Sequence, residues 1–262
     1  TEIYTLSLHD ALPICIEQLE EAGGCRAVMK VLSKRLDLTA RSVSGQTLEE
    51  ILDQTPAPTS DVIKTLENPC SNDPGLAIIK GTLAPEGAVV KIAAIPKDIR
   101  EFKGKARVFE KEADAIERLN NNHPDCLKKG DVAVLRMMGP KGGPGTVFAA
   151  SFMAALQGTS LGREVAVVTD GELSGLNSGI TIGQVMPEAA EGGPLAYVED
   201  GDEISIDINK RTIDLLVSED IMKDRMASKQ LSLPEAPSGW LSVYRATVGP
   251  LKRGAVVGDG IK

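Results

Sequence analysis

Aromatic residues are scarce in this chain: they fill 3% of 262 positions, with one Trp, three Tyr and four Phe. A core of that composition has to be built from Val, Ile, Leu and Ala. Histidine occurs only twice, so a Ser-His-Asp triad has almost nothing to draw on. The four cysteines are scattered without paired spacing. They make neither a disulfide framework nor a zinc site, which leaves the reducing cytoplasm as the default compartment. No apolar run reaches the ~18 residues of a transmembrane helix, so no membrane span is expected. Lys and Arg number 29 against 37 Asp and Glu, a net charge of −8. With no basic cluster, that balance argues against nucleic acid or an anionic membrane as the main partner. The sequence also lacks HExxH, GxxxxGK[ST] and a GxGxxG following a strand. What remains is the profile of a soluble globular chain, 42% hydrophobic and 25% charged, with room for one large domain or two modest ones.

The first fourteen residues, TEIYTLSLHDALPI, carry no basic residue and so fit neither a secretory nor a transit peptide. They resemble the translation of a widely used short-read sequencing adapter. On that reading residues 1–14 are foreign, the natural sequence begins near Cys15, and His123 is the only native histidine.

Two short helices broken at Gly23-Gly24 are expected between Ile16 and Leu36, and another from Gln46 to Gln54. The stretches TPAPTS at 55–60 and NPCSNDP at 68–74 read as loops. Beyond them the texture changes to nine short apolar, β-branched runs, at 76–80, 88–94, 106–109, 131–137, 164–169, 180–185, 195–198, 203–208 and 212–217. Turn signals separate them, and helices are expected at 110–121, 146–157 and 218–228. Such even spacing favours a barrel or layered β/α domain over a doubly wound sheet. The fold class expected is α/β: a barrel-like β domain flanked by helices over 75–262, preceded by the helical end of another domain over 15–74.

Two glycine-rich loops stand out. GPKGGPG at 139–145 follows the run DVAVLRM and leads into TVFAASFMAAL. Its glycines let backbone N–H groups approach a carboxylate or phosphate, and Lys141 adds a charge. Equally, it reads as a strand-to-helix turn. DGELSGLNSG at 170–179 follows EVAVVT and puts Ser174 beyond a strand's carboxyl end, where sites tend to lie. It departs from the GxSxG elbow, and with no histidine beside it Ser174 would need a metal or a dipole as activator. Taken alone, Ser174 reads as a turn-capping serine. His123, in NNNHPD, reads as a solvated loop residue, and Cys15, Cys25, Cys70 and Cys126 as incidental thiols.

Read in order, a longer series carries more weight: AGGCRAVMK at 22–30, SVSGQTLEEIL at 42–52, GLAIIKGTLAPEGAVVK at 75–91 and FKGKARVFEKEADAIE at 102–117. KGDVAVLRMMGPKGGPG at 129–145, VAVVTDGELSG at 165–175, IGQVMPEAAEGGPLAYVEDGDEISIDI at 182–208, KRTIDLLV at 210–217 and YRATVGPLKRGAVV at 244–257 complete it. This series resembles the dihydroxy-acid dehydratase / 6-phosphogluconate dehydratase family across almost all of 16–262. The resemblance implies a hydro-lyase that turns a 2,3-dihydroxy acid into a 2-keto acid, as in branched-chain amino-acid biosynthesis. It implies an iron–sulfur cluster and Mg2+ as cofactors, a small hydroxy-acid substrate and a homodimer. It makes Ser174 the base, Lys141, Gly142, Gly143 and Gly175 the substrate-binding candidates, and residues 15–74 the end of a truncated α/β domain.

Two departures limit the transfer. The family's cluster cysteines and metal-binding Asp-Lys pair belong to sequence upstream of this series, so no cluster ligand is assigned here, and the chain alone is expected to be inactive. Where the family has GMPEM, with a metal-binding glutamate, this chain has GTVFA and therefore Phe148. The arginine usual before the serine loop's Phe-Ser-Gly is Glu172. Either Glu172 supplies the carboxylate that position 148 lost, or this branch binds metal differently or has changed substrate. Sugar-acid dehydration and a non-catalytic ligand-binding role stay open as alternatives.

Overall fold

The computed structural model describes residues 16–172, 179–235 and 238–258. They fall into two compact units, the first ending at Asp73 and the second beginning at Pro74. The first unit holds helices α1 (Ile16–Glu21), α2 (Gly24–Val31) and α3 (Leu48–Asp53). Gly23, at φ 112°, breaks α1 from α2, as the Gly-Gly pair predicts. Thr47 and Glu50 form a reciprocal capping box that starts α3. Ala22, Ala27 and Ile63 make a small core.

The second unit is an eight-stranded mixed sheet: β1 (Ala77–Ile79), β2 (Gly87–Val90), β3 (Glu101–Phe109), β4 (Asp131–Leu135), β5 (Ala166–Thr169), β6 (Thr181–Met186), β7 (Glu203–Asp207) and β8 (Thr212–Leu215). Their spatial order is β1-β2-β6-β5-β4-β3-β7-β8. The run β3-β4-β5-β6 is parallel and the outer pairings are antiparallel. A parallel bridge between Lys80 and Thr212 joins the two edges, so the sheet nearly closes into a barrel and its edges are not left as unpaired rows. The sequence predicts nine strands; one of them, LAYV at 195–198, is instead a 3-10 turn over Pro194–Tyr197. Pro194 at its first turn has no N–H to give a ladder but suits a helical start.

Alternation of side chains decides the two faces. In β4, Val132 and Val134 point into the barrel while Ala133 and Leu135 point out. In β5, Ala166 and Val168 point in and Val167 out. The interior is almost wholly aliphatic, with Ile79, Leu83, Val90, Ile182, Ile204 and Ile206 all but inaccessible. Outside, α4 (Glu112–Glu117) and α5 (Ala150–Gln157) form the β3–β4 and β4–β5 crossovers, and Ala115, Phe152, Met153 and Leu156 cover the outward residues. Parallel neighbours need such crossovers. Helix α6 (Glu219–Ser228) starts on the Ser218 cap, and α7 (Trp240–Thr247), which the periodicity does not predict, follows it.

Closure depends on Gly81. A Cβ there would lie 2.0 Å from the Ile213 carbonyl oxygen and 2.6 Å from Asp214 Oδ1. The bonds beside it, Lys80 N–H to Arg211 O and Ile213 N–H to Lys80 O, are both 3.0 Å. Gly81→Ala is expected to spread this seam and cost about 2–4 kcal/mol, a Tm loss on the order of 10 °C. Gly75→Ala, with open space around its Cβ position, should melt like the parent in the same thermal scan.

Candidate functional site

The loops that leave the carboxyl ends of the parallel strands β4, β5 and β6 meet on one side of the barrel. Asp170, one residue beyond β5, ties the three together. Its Oδ1 accepts from Met138 N–H at 2.9 Å, and its Oδ2 accepts from Met137 N–H at 3.2 Å and Ala189 N–H at 2.8 Å. Asp170 is fully buried. Burial raises its carboxyl above the ordinary range, against the pull of these amides.

Glu188, beyond β6, does the same for the glycine-rich loop. It is also inaccessible, and its carboxylate accepts from Lys141 N–H at 3.0 Å and Gly142 N–H at 3.1 Å. Burial pushes it up to about 7, opposed by the Gly142 and Lys141 amides and reinforced by the charges of Asp170 and Glu191. Gly143 N–H donates to Gly139 O at 2.8 Å. The N–H groups of Lys141, Gly142 and Gly143 are thus all bonded within the protein, and the Lys141 ammonium meets Glu191 at 2.5 Å. A Cβ on Gly142 would stand 2.7 Å from the Met137 backbone, which is why glycine is required there.

The expected helix at 146–157 begins only at Ala150. Its Phe152 N–H is taken by Glu112 Oε1 at 2.8 Å, so the helix end does not face the glycine loop as an open anion site. Phe148 instead forms an isolated parallel β-bridge with Glu172. Residues paired this way project to the same side, so the two departures from the family pattern are neighbours in space. Both are exposed, and Gln184 Nε2 donates to Glu172 Oε1 at 3.2 Å. Ser174 and Gly175 lie outside the described residues.

Asp170 and Glu188 escape notice in the sequence. Each is an acid in a segment otherwise buried, TDG after an apolar strand and PEAA before a turn. That apolar context is the signal that could have found them. A cleft of about 600 Å³ lined by Arg107, Glu110, Arg118, Arg136 and Lys229 opens beside the carboxyl ends of β3 and β4. Two of its guanidiniums are paired, Arg136 to Glu110 at 2.8 Å and Arg118 to Asp125 at 3.0 Å.

Proton linkage at Glu188 has a definite sign. Its folded value, about 7, lies above the ordinary 4.5. Between these limits the folded chain holds a proton the unfolded chain has released. This contribution is fully present below about pH 4.5, is lost as pH rises towards 7, and is level beyond that. Glu188→Gln should flatten the difference in urea stability between pH 5 and 8 by about 2–3 kcal/mol, at ~1.4 kcal/mol per unit. An unaltered pH slope would contradict it.

A nearly closed mixed barrel whose polar groups gather at the carboxyl ends of parallel strands is an α/β domain with its candidate site at that end. The family model "Dihydroxy-acid/6-phosphogluconate dehydratase C-terminal" matches residues 61–255. The chain belongs to that dehydratase family. It is 44% identical over 244 residues to a dihydroxy-acid dehydratase of Aquifex aeolicus, covering 92% of this chain and 43% of the relative. It is 45% identical over 241 residues to the Pyrococcus abyssi enzyme of that name, 91% and 43%, and 41% over 252 residues to that of Agathobacter rectalis, 95% and 44%. The chain therefore spans less than half the length of these curated relatives. Among the described residues no helix is long and apolar enough to cross a membrane.

Proposed function

We propose that this chain forms the C-terminal, substrate-facing part of a hydro-lyase that removes water from a 2,3-dihydroxy acid to leave a 2-keto acid. One observation supports it above the others: the loops after β4, β5 and β6, bearing Lys141, Glu172 and the start of the serine loop, are bound to one another by two buried carboxylates in a chain 41–45% identical to dihydroxy-acid dehydratases. In this reading Ser174, as its alkoxide, takes the proton from C2, the C3 hydroxyl leaves with its bonding pair as hydroxide and receives that proton back from Ser174 to form water, and the resulting enol becomes the keto acid. Lys141 supplies positive charge for the substrate carboxylate, while Gly142, Gly143 and Gly175 allow close approach of the backbone.

The cofactors implied by the family fit this chain unequally. Cys25 and Cys70 are exposed and Cys126 half-buried, all as free thiols. No group of three or more His, Cys, Asp or Glu stands ready for a metal among the described residues. An iron–sulfur cluster therefore finds no cage among the described residues. Mg2+ is different, because it is commonly held by one or two carboxylates with waters and substrate. Glu172 offers one such exposed carboxylate. When bound, Mg2+ would neutralise the substrate carboxylate and lower the proton affinity of nearby oxygens. A cytoplasmic homodimer is the assembly we infer from the family.

The test joins residues 16–262 to the N-terminal part of the Agathobacter rectalis relative and assays keto-acid formation from 2,3-dihydroxy-3-methylbutanoate and from a panel of aldonates. Turnover of the branched dihydroxy acid is expected. Turnover of aldonates alone would move the assignment to a sugar-acid dehydratase, a reading that the apolar Phe148 beside Glu172 favours. No cluster and no turnover would leave a ligand-binding domain.

A further inference from the structure

We infer that Glu188 and Arg245 are positioning residues for the glycine-rich loop, gripping opposite polar faces of the Lys141–Gly142 backbone so that Lys141 is presented in one place. Glu188 holds the donors, the N–H groups of Lys141 and Gly142. Arg245, on α7, holds the acceptor: its Nη2 donates to Gly142 O at 2.9 Å, and its Nη1 to Pro234 O at 2.6 Å. The loop packs closely there, since a Cβ on Gly142 would stand 2.7 Å from the Met137 backbone. Glu191 completes the arrangement by pairing the Lys141 ammonium at 2.5 Å. A loop fixed at N–H and side chain by the turn after β6 and at its carbonyl by α7 is preorganised, and preorganisation is where a binding site gains affinity without new contacts.

The clamp also connects the loop to the carboxyl-terminal helix. Leu241, four residues before Arg245 on α7, sits 3.7 Å from the Cβ position of Gly145. Its neighbour Trp240 is the chain's single tryptophan and is largely exposed. Trp240 fluorescence therefore reports on α7, the helix that carries Arg245. The charged and titratable groups around Glu188 are Lys141 on the loop, Asp170 after β5, Glu191 in its own turn, and Tyr244 and Arg245 on α7. Tyr244 is raised by burial and by the charge of Glu188, which places it within that field.

This inference rests on the reading that Lys141 faces substrate, and its test separates the two. Amide hydrogen exchange at Lys141 and Gly142, with Val134 in the core as reference, is followed in the 262-residue chain between pH 5 and 9 alongside Trp240 emission. Arg245→Met is expected to speed exchange at Gly142 about 10-fold, the scale of one lost hydrogen bond, with Val134 unchanged and Arg245→Lys restoring part of the protection. Glu188→Gln, which keeps an acceptor oxygen, is expected to fold and to abolish a pH midpoint near 7 shared by exchange and emission in the parent. Parent-like exchange and an unmoved midpoint in these variants would overturn the clamp, as would equal acceleration at Val134. In the chimeric enzyme, Arg245→Met should raise KM for the dihydroxy acid with kcat little altered. Faster exchange with an unchanged KM would leave the clamp standing and overturn the substrate-facing role of Lys141 instead.

Discussion

Asp170→Ala is expected to destabilise the fold by about 3–5 kcal/mol, enough to leave much of the chain unfolded near 37 °C. The carboxylate is the common acceptor for Met137, Met138 and Ala189. These amides belong to segments that follow different strands, β4 and β6, so no local turn can supply a replacement. An alanine would leave three buried N–H groups to find partners, and each one left without costs ~1–3 kcal/mol. The competing effect is the desolvation of Asp170 itself, since a buried carboxyl raised by burial is an unfavourable charge. Asp170→Asn weighs the two. It retains one acceptor oxygen, turns an NH2 towards the remaining donors and removes the charge. If the hydrogen bonds dominate, as three donors to one carboxylate imply, urea titration should order the proteins parent, Asn, Ala, with the Asn variant about 1–2 kcal/mol below the parent. An Asn variant more stable than the parent would show that desolvation outweighs the hydrogen bonds. An Ala variant within ~1 kcal/mol would remove Asp170 from its role as the tie between loops.

How much of this could be read from the residues follows from which interactions are local. Helix α3 is legible because its capping box lies within four residues, Thr47 to Glu50, and the break at Gly23-Gly24 because glycine alone suits that backbone. The strands β4 and β5 are legible because Val, Ala and Leu recur without interruption when both faces are covered. LAYV misleads because the same apolar signature serves a buried 3-10 turn. Strand order depends on pairings such as β2–β6 and β3–β7, about 100 residues apart, and the closure on Lys80–Thr212, 132 apart, which no window of sequence contains. The same division holds at the site. Glycine loops announce themselves by composition, whereas the acids that organise them do not: Asp170 and Glu188 are spelled like surface carboxylates, and only the folded chain buries them. The pairing of Phe148 with Glu172 falls between these cases. Both residues stand out as departures from the family pattern, yet only the fold shows that they are adjacent.

That adjacency carries the other large effect. In the chimeric enzyme, Glu172→Gln is expected to weaken Mg2+ binding on the order of 100-fold, since changes merely behind a metal ligand already cost 10–100-fold, and to abolish Mg2+-dependent turnover. Glutamine keeps the length and can keep the contact with Gln184, so the loss would be that of the anionic oxygen. Gln184 Nε2 donates to Oε1 of Glu172 at 3.2 Å. Calorimetric titration with Mg2+, or Mn2+ as a paramagnetic substitute, reads the affinity without relying on catalysis. The bridge adds a stricter expectation. Because Phe148 and Glu172 face each other across it, a carboxylate introduced as Phe148→Glu in the Glu172→Gln background should reach the same region and recover part of the affinity. Metal affinity and turnover unchanged by Glu172→Gln would sink the compensation outright. Loss without rescue would keep Glu172 as a ligand while denying that position 148 shares its place.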